Sequence, residues 1–192
     1  MKGRPAKVLA DTDVRRVLTT IKLKRHVRRD RVIMLLSVKA GLRAGEIAKL
    51  TWLMVSGPRG EIGQFLELPA SVAKKGSGRR IPLHGQLRAE LRMLKKRGDH
   101  PNDPIIRSER GGPMTAKSVV NWFSGLYQKA GLAGCSSHSG RRTFITRGAR
   151  LVLHTGGSLR DVQELAGHRS IQTTQGYIEG FGAAQRRLIR LI

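Results

Sequence analysis

Residues 136–177 read SSHSGRRTFITRGARLVLHTGGSLRDVQELAGHRSIQTTQGY, and this stretch decides how the chain of 192 residues is understood. Three parts of it carry chemistry: His138-Ser-Gly-Arg141, Ala166-Gly167-His168, and Tyr177. Together they bring two histidines, an arginine and a phenol onto a short, mostly helical segment. Such a set suits nucleophilic attack on a phosphate. The phenol oxygen attacks, while the guanidinium and the imidazoles steady the charge that builds on the phosphoryl oxygens. Ser139 is expected to cap a helix through Arg142, Phe144, Ile145, Arg147 and Leu151, whose apolar positions recur at three- and four-residue steps. Gly156-Gly157 breaks it. Ser158 then caps a second helix, SLRDVQELA, with Asp161 in the capping-box position and Gly167 as the stop. Residues 170–177 form one more short helix, with Tyr177 near its end.

Outward from this segment, composition narrows the class. Lys and Arg number 37 against 13 Asp and Glu, a formal net charge of +24 spread along the whole chain. That excess favours a polyanionic partner, and nucleic acid leads. Charge alone does not argue for catalysis, because nucleic-acid-packing proteins share it. The single cysteine, Cys135, excludes a disulfide framework within the chain and is expected to be buried. No apolar run approaches the roughly 18 residues of a membrane span, and the basic N-terminus has no apolar segment of a secretory signal. The expected location is the cytoplasm, at the nucleoid. Neither Cys pairs nor His-x-x-x-His spacing occur, so no metal site is expected.

Residues 1–10 read as a basic arm. Asp11 or Thr12 can cap a helix carrying Val14, Val17, Leu18 and Ile21. VIMLLSVKA (Val32 to Ala40) is apolar enough for a buried helix ended by Gly41, and another helical turn follows from Leu42 to near Leu50. The period then changes. TWLMV, QFLEL and RRIPL look like short strands divided by GPRG and KKGSG, with Lys74 and Lys75 where a strand meets a Gly-rich hairpin. Gln86 to Lys96 returns to helical spacing, and Thr115 caps a helix whose Trp122, Phe123 and Tyr127 belong to the core. His26, His84, His100 and His154 have no motif around them and read as structural. The expected fold class is α+β, mainly α, with a small antiparallel sheet.

In chain order, four boxes now stand out: GLRAGEIAKL, AKKGSGRRIPL, HSGRRTF and LAGHRSIQTTQGY. They resemble the first arginine box, the lysine hairpin, the His-x-x-Arg box and the Gly-His box with its nucleophilic tyrosine in the catalytic domain of the tyrosine recombinases, the phage integrase family. The resemblance runs from about Asp11 to Tyr177. It implies the helical fold of DNA breaking-rejoining enzymes and these roles. Arg43 and Arg141 hold the non-bridging oxygens of the scissile phosphate. Lys74 protonates the leaving 5′-oxygen, with Lys75 as the alternative. His138 assists proton transfer at the attacking phenol, and His168 hydrogen-bonds the phosphoryl group. Tyr177 becomes linked to the 3′-phosphate.

Glu46, at i+3 from Arg43, is expected to orient that guanidinium. Arg79, Arg80 and Arg142 are candidate contacts to backbone phosphates. The resemblance further implies double-stranded DNA as partner, a homodimer to homotetramer on DNA, room for an accessory DNA-bending or directionality factor, and no cofactor. Type IB topoisomerase activity and a non-catalytic DNA-binding regulator stand as alternatives. Only about ten residues precede the first helix, so the expected layout contains no N-terminal core-binding domain. The tail, residues 178–192, sets Phe181, Leu188, Ile189, Leu191 and Ile192 against Arg186, Arg187 and Arg190. That pattern suits an amphipathic helix exchanged between protomers.

Overall fold

A computed structural model describes residues 6–177 and 189–190. The expectations for the arm before residue 6, for the Lys75 side chain and for all of the tail but Ile189 and Arg190 fall outside the described residues. The elements are α1 (Asp11–Lys22), α2 (Val27–Ala40), α3 (Ala44–Ala48), a two-stranded sheet of β1 (Phe65–Leu68) and β2 (Arg79–Pro82), then α4 (Gly85–Leu94), α5 (Ala116–Lys129), α6 (Ser139–Leu151), α7 (Leu159–Ala166) and α8 (Ile171–Gln175).

Helix α2 is the centre. Val32, Ile33, Met34, Leu35 and Leu36 are all fully buried, because the run is apolar on every side and other helices surround it. It packs against α1, α3, α4 and α6. Burial of each large aliphatic side chain contributes roughly 1.5–3 kcal/mol, which makes this helix the main source of packing energy. Gly41 ends it at φ 65°, a left-handed conformation that glycine adopts without strain. The main core takes in α1 to α5 and the sheet, while Ile145, Ala149, Val162 and Ala166 form a smaller satellite core under α6 and α7, with Tyr177 packed on its edge.

Several expectations need correction. TWLMV is not a strand: Trp52–Val55 is a 3₁₀ turn, held by Leu53 N–H donating to the Pro101 carbonyl and Trp52 N–H to that of Asp103. Among the described residues the paired strands are β1 and β2. Helix α1 is capped at Ala10, whose N–H donates to Asp13 Oδ2 at 3.0 Å, so Asp11 is the first helical residue. Helix α6 starts at Ser139, with His138 in the cap position. Ser139 Oγ accepts from Ser136 N–H, outside the helix, at 3.0 Å. The end of the basic arm is also tied down. Leu9 is buried, its N–H donates to Thr143 Oγ1 at 2.8 Å, and its carbonyl accepts from Arg147.

The α7 expectation agrees with the structure throughout. Ser158 and Asp161 form the capping box, and Gly167 stops the helix at φ 62°. His84, read from sequence only as structural, caps α4 by accepting from Gln86 N–H through Nδ1.

Candidate active site

The Leu36–Gly41 turn delivers the first arginine. Arg43 sits in the N-cap position of α3, where its N–H donates to Glu46 Oε2 at 2.9 Å and its Nη1 donates to Glu46 Oε1 at 2.9 Å. A helix of five residues is too short to hold a shape by itself, so this reciprocal pair and the packing of α3 on α5 define where the guanidinium stands.

Arg141 comes from the first turn of α6 and is only 3% exposed. Its Nη1 donates to the Gly41 carbonyl and its Nη2 to the Ala166 carbonyl, both at 2.6 Å. Those carbonyls are orphans left by the ends of α2 and α7. One side chain therefore ties together two helix C-termini, each with its partial negative charge. Burial first, and the neighbouring Arg43 second, push the Arg141 guanidinium down to about 10, and it stays cationic at neutral pH. The charge of Arg43 thus reaches the Arg141 guanidinium.

Both histidines lie in the same field. Burial, then the positive charges of Lys74, Arg141 and Arg43, lower the pKa of His138. The His168 imidazole is pushed down to about 4 by burial and then by Arg141, Arg43 and Arg79, so it is neutral at pH 7. Its Nδ1 shares a hydrogen bond of 3.0 Å with Thr174 Oγ1 at the last turn of α8. Lys74 lies in the 3₁₀ turn Lys74–Gly76, exposed, on the loop between β1 and β2. Its charge reaches His138, whose pKa it helps to lower.

Tyr177 follows Gly176, the C-cap of α8. Its ring stacks on His168, and the Arg142 guanidinium lies 5.5 Å from its centroid. His138, Arg141, Arg142 and Tyr177 line one open cavity of about 320 Å³, with Ala6 and Ser136 at its margin. Among the described residues no group of three or more His, Cys, Asp or Glu side chains could hold a metal ion, and no helix is long and apolar enough to cross a membrane.

The outer arginines divide. Arg80 is exposed, pairs with Glu67 at 2.8 Å across the sheet and covers the Phe65 ring. Arg79 was expected to reach outward to a phosphate. Instead its side chain is 5% exposed and turned inward, Nη2 donating to Glu46 Oε2 at 3.0 Å and Nε to the Leu165 carbonyl at 3.0 Å. The reason is register. Leu66 pairs with Ile81 facing the core, Glu67 with Arg80 facing out, and Leu68 with Arg79 facing in again. The period of two along a strand, once Ile81 was assigned to the core, would have revealed it.

Glu46 is therefore buried between two arginines. Burial opposes its charge, but hydrogen bonds and charge from Arg79, then from Arg43, outweigh that and hold the carboxyl at about 2. Tyr127 is core, as expected, and Cys135 is half-buried with its thiol pKa raised by burial.

Such a helical scaffold, with arginines, histidines and a tyrosine converging on one cationic cleft, is that of a DNA breaking-rejoining catalytic domain. The family model described as "Phage integrase family" matches residues 7–181, and the chain belongs to that family. Among its relatives, tyrosine recombinase XerC of Bacillus subtilis (strain 168) is 30% identical over 158 residues, covering 78% of this chain and 48% of that protein. Tyrosine recombinase XerA of Thermococcus kodakarensis is 32% identical over 177 residues, covering 89% of this chain and 57% of that protein. The chain thus spans about half the length of the curated relatives it matches. Two solved structures share the fold. One is a XerA recombinase, with a TM-score of 0.70 at 21% identity over 100% of this chain and 65% of that one. The other is a lambda integrase dimer bound to a COC′ core site, with a TM-score of 0.70 at 21% identity over 94% of this chain and 50% of that one.

Proposed function

We propose that the chain is the catalytic domain of a site-specific DNA recombinase that cleaves and rejoins strands through a covalent 3′-phosphotyrosine. The observation that carries this reading is the cavity shared by Tyr177, His138 and Arg141, with Arg43 and Lys74 close enough to depress the basicity of the residues lining it. In the proposed reaction Tyr177 Oη attacks the scissile phosphorus and its proton passes to His138. The lowered pKa keeps that imidazole neutral and able to accept. Arg43 and Arg141 hold the non-bridging oxygens, whose charge grows in the pentavalent transition state. His168, neutral, donates a further hydrogen bond. The bond from phosphorus to the 5′-oxygen breaks, and that oxygen takes its proton from Lys74. A 5′-hydroxyl from another strand reverses the sequence. The phosphodiester energy stays in the phosphotyrosine, so strand joining needs no nucleotide cofactor.

Double-stranded DNA fits the +24 net charge, and affinity is expected to fall steeply with salt. The relatives' names and the DNA-bound lambda integrase dimer support the same partner, and a dimer on each site working as a tetramer on two duplexes is the assembly we propose. The test is a suicide duplex nicked beside the cleavage point, with sequences drawn from the flanks of the source locus. Wild type should trap a covalent adduct and Tyr177→Phe should bind without trapping. An adduct formed by Tyr177→Phe would overturn the nucleophile. Binding with no wild-type adduct would leave a DNA-binding regulator.

A further inference from the structure

The catalytic lysine of the proposed reaction sits at the exposed tip of a loop whose first half is held by the core through Val72 and Ala73. Lys74 is exposed, Gly76 and Gly78 flank Ser77, and the sheet beneath has only two four-residue strands. A two-stranded hairpin is marginal by itself. A general acid must nevertheless stay within hydrogen-bond reach of one oxygen. The second half of the loop, from Gly76 to the start of β2, needs an anchor of its own.

We infer that Arg79 is that anchor, a positioning residue that sets Lys74 over the scissile phosphate by tying the hairpin base to α3 and to the end of α7. This inference rests on the catalytic reading above. Arg79 is the first residue of β2, five positions after Lys74. Its fork bonds Glu46 through Nη1 at 3.2 Å and Nη2 at 3.0 Å, its Nε bonds the Leu165 carbonyl at 3.0 Å, and Nη1 also reaches the Ser77 carbonyl inside the hairpin at 3.4 Å. Four acceptors on three elements meet one planar group, which a lysine could not reproduce. The fit is close: a Cβ placed on Gly167 would stand 2.9 Å from Arg79 Nη1 and 3.0 Å from its Cδ. Gly167 thus leaves room for the anchor as well as stopping α7. Arg43 binds the same two Glu46 oxygens through its own donors, Nη1 to Oε1 and the backbone N–H to Oε2, and those bonds do not pass through Arg79.

The two roles separate by leaving group. Expulsion of a 5′-alkoxide needs the Lys74 proton. A duplex with sulfur at the bridging 5′ position expels a thiolate, a far weaker base (thiol pKa about 8.5), and needs none. Single-turnover cleavage is measured on both duplexes for wild type, Lys74→Ala, Arg79→Met and Arg79→Lys. Wild type should cleave both, and Lys74→Ala only the sulfur duplex. If wild type cleaves neither, the catalytic reading itself fails.

With those controls in place, Arg79→Met should lose about tenfold or more on the oxygen duplex and no more than about threefold on the sulfur duplex. Arg79→Lys should fall between it and wild type on oxygen. Cleavage of the sulfur duplex also proves the variant folded. Equal loss on both duplexes, or no loss on either, overturns the inference. Should Arg79→Met fail to fold, Arg79→Lys, which keeps the charge beside Glu46, carries the same comparison.

Discussion

The imidazole of His168 lies nearly flat against the ring of Tyr177, centroids 5.7 Å apart and planes 22° from parallel. The proposed nucleophile is thereby held by its ring face, on an edge of the satellite core, and not by a rigid backbone: the helix before it has only five residues. Arg142 adds a cation to the same ring. In the proposed reaction a hold of this kind sets the attack angle while the phenol oxygen remains able to bond.

Arg142→Gln should therefore slow adduct formation by about two- to five-fold, the loss of one partly exposed cation–π contact, with the salt dependence of DNA binding unchanged. Binding titrations at several salt concentrations check this. A salt slope shallower by about one, with cleavage intact, would instead make Arg142 a phosphate contact.

Acid should act in two stages. His168 has a folded pKa of about 4 against the ordinary 6.5, so it favours the native state above 6.5 and that stability is lost as pH falls toward 4. His138 is lowered too and adds in the same direction. Glu46, held at about 2 against 4.5, loses its contribution between 4.5 and 2. Urea midpoints followed from pH 7 to 3 should fall throughout, and His168→Gln should flatten only the upper part. An unchanged profile in that variant would contradict the neutral, desolvated imidazole.

Glu46→Ala strips the carboxylate that pairs with both Arg43 and Arg79 and leaves two guanidiniums without it under cover. The cost should be about 3–5 kcal/mol in denaturant unfolding, with cleavage abolished in whatever remains folded. A loss below about 1 kcal/mol would mean that water reaches the pair.

Gly140→Ala should destabilise by about 1–3 kcal/mol, because the added Cβ would stand 2.8 Å from Ser37 Cβ where α6 crosses α2. Ser37→Gly in the same chain should recover part of it. Thermal unfolding of the single and double variants decides this, and wild-type stability in Gly140→Ala would show that the helices can part without penalty.

The helices around the site were largely legible, since each rests on local chemistry. The Ser158–Asp161 box, the Gly41 and Gly167 stops and the Thr115 cap act within a few residues of themselves. The six residues proposed for catalysis were found through ordered boxes, which need no geometry. The failed strand has a long-range cause. The Trp52–Val55 turn copies the apolar run of a strand, but its backbone groups are claimed by a loop near residues 101–103, some fifty positions away.

The amino-acid sequence alone determined the helical class, the charge excess and the order of the reactive side chains, because those properties are written residue by residue. Tertiary structure alone decided what each cation faces. Arg79 and Arg80 are adjacent and chemically identical, yet one is sealed against Glu46 and the other covers Phe65 in solvent. Arg141 is fixed by the carbonyl of Gly41, 100 positions earlier. Guanidiniums carry the same charge wherever they stand. Only packing brings the distant carboxylates and helix ends that bind some of them inside and leave others to a phosphate.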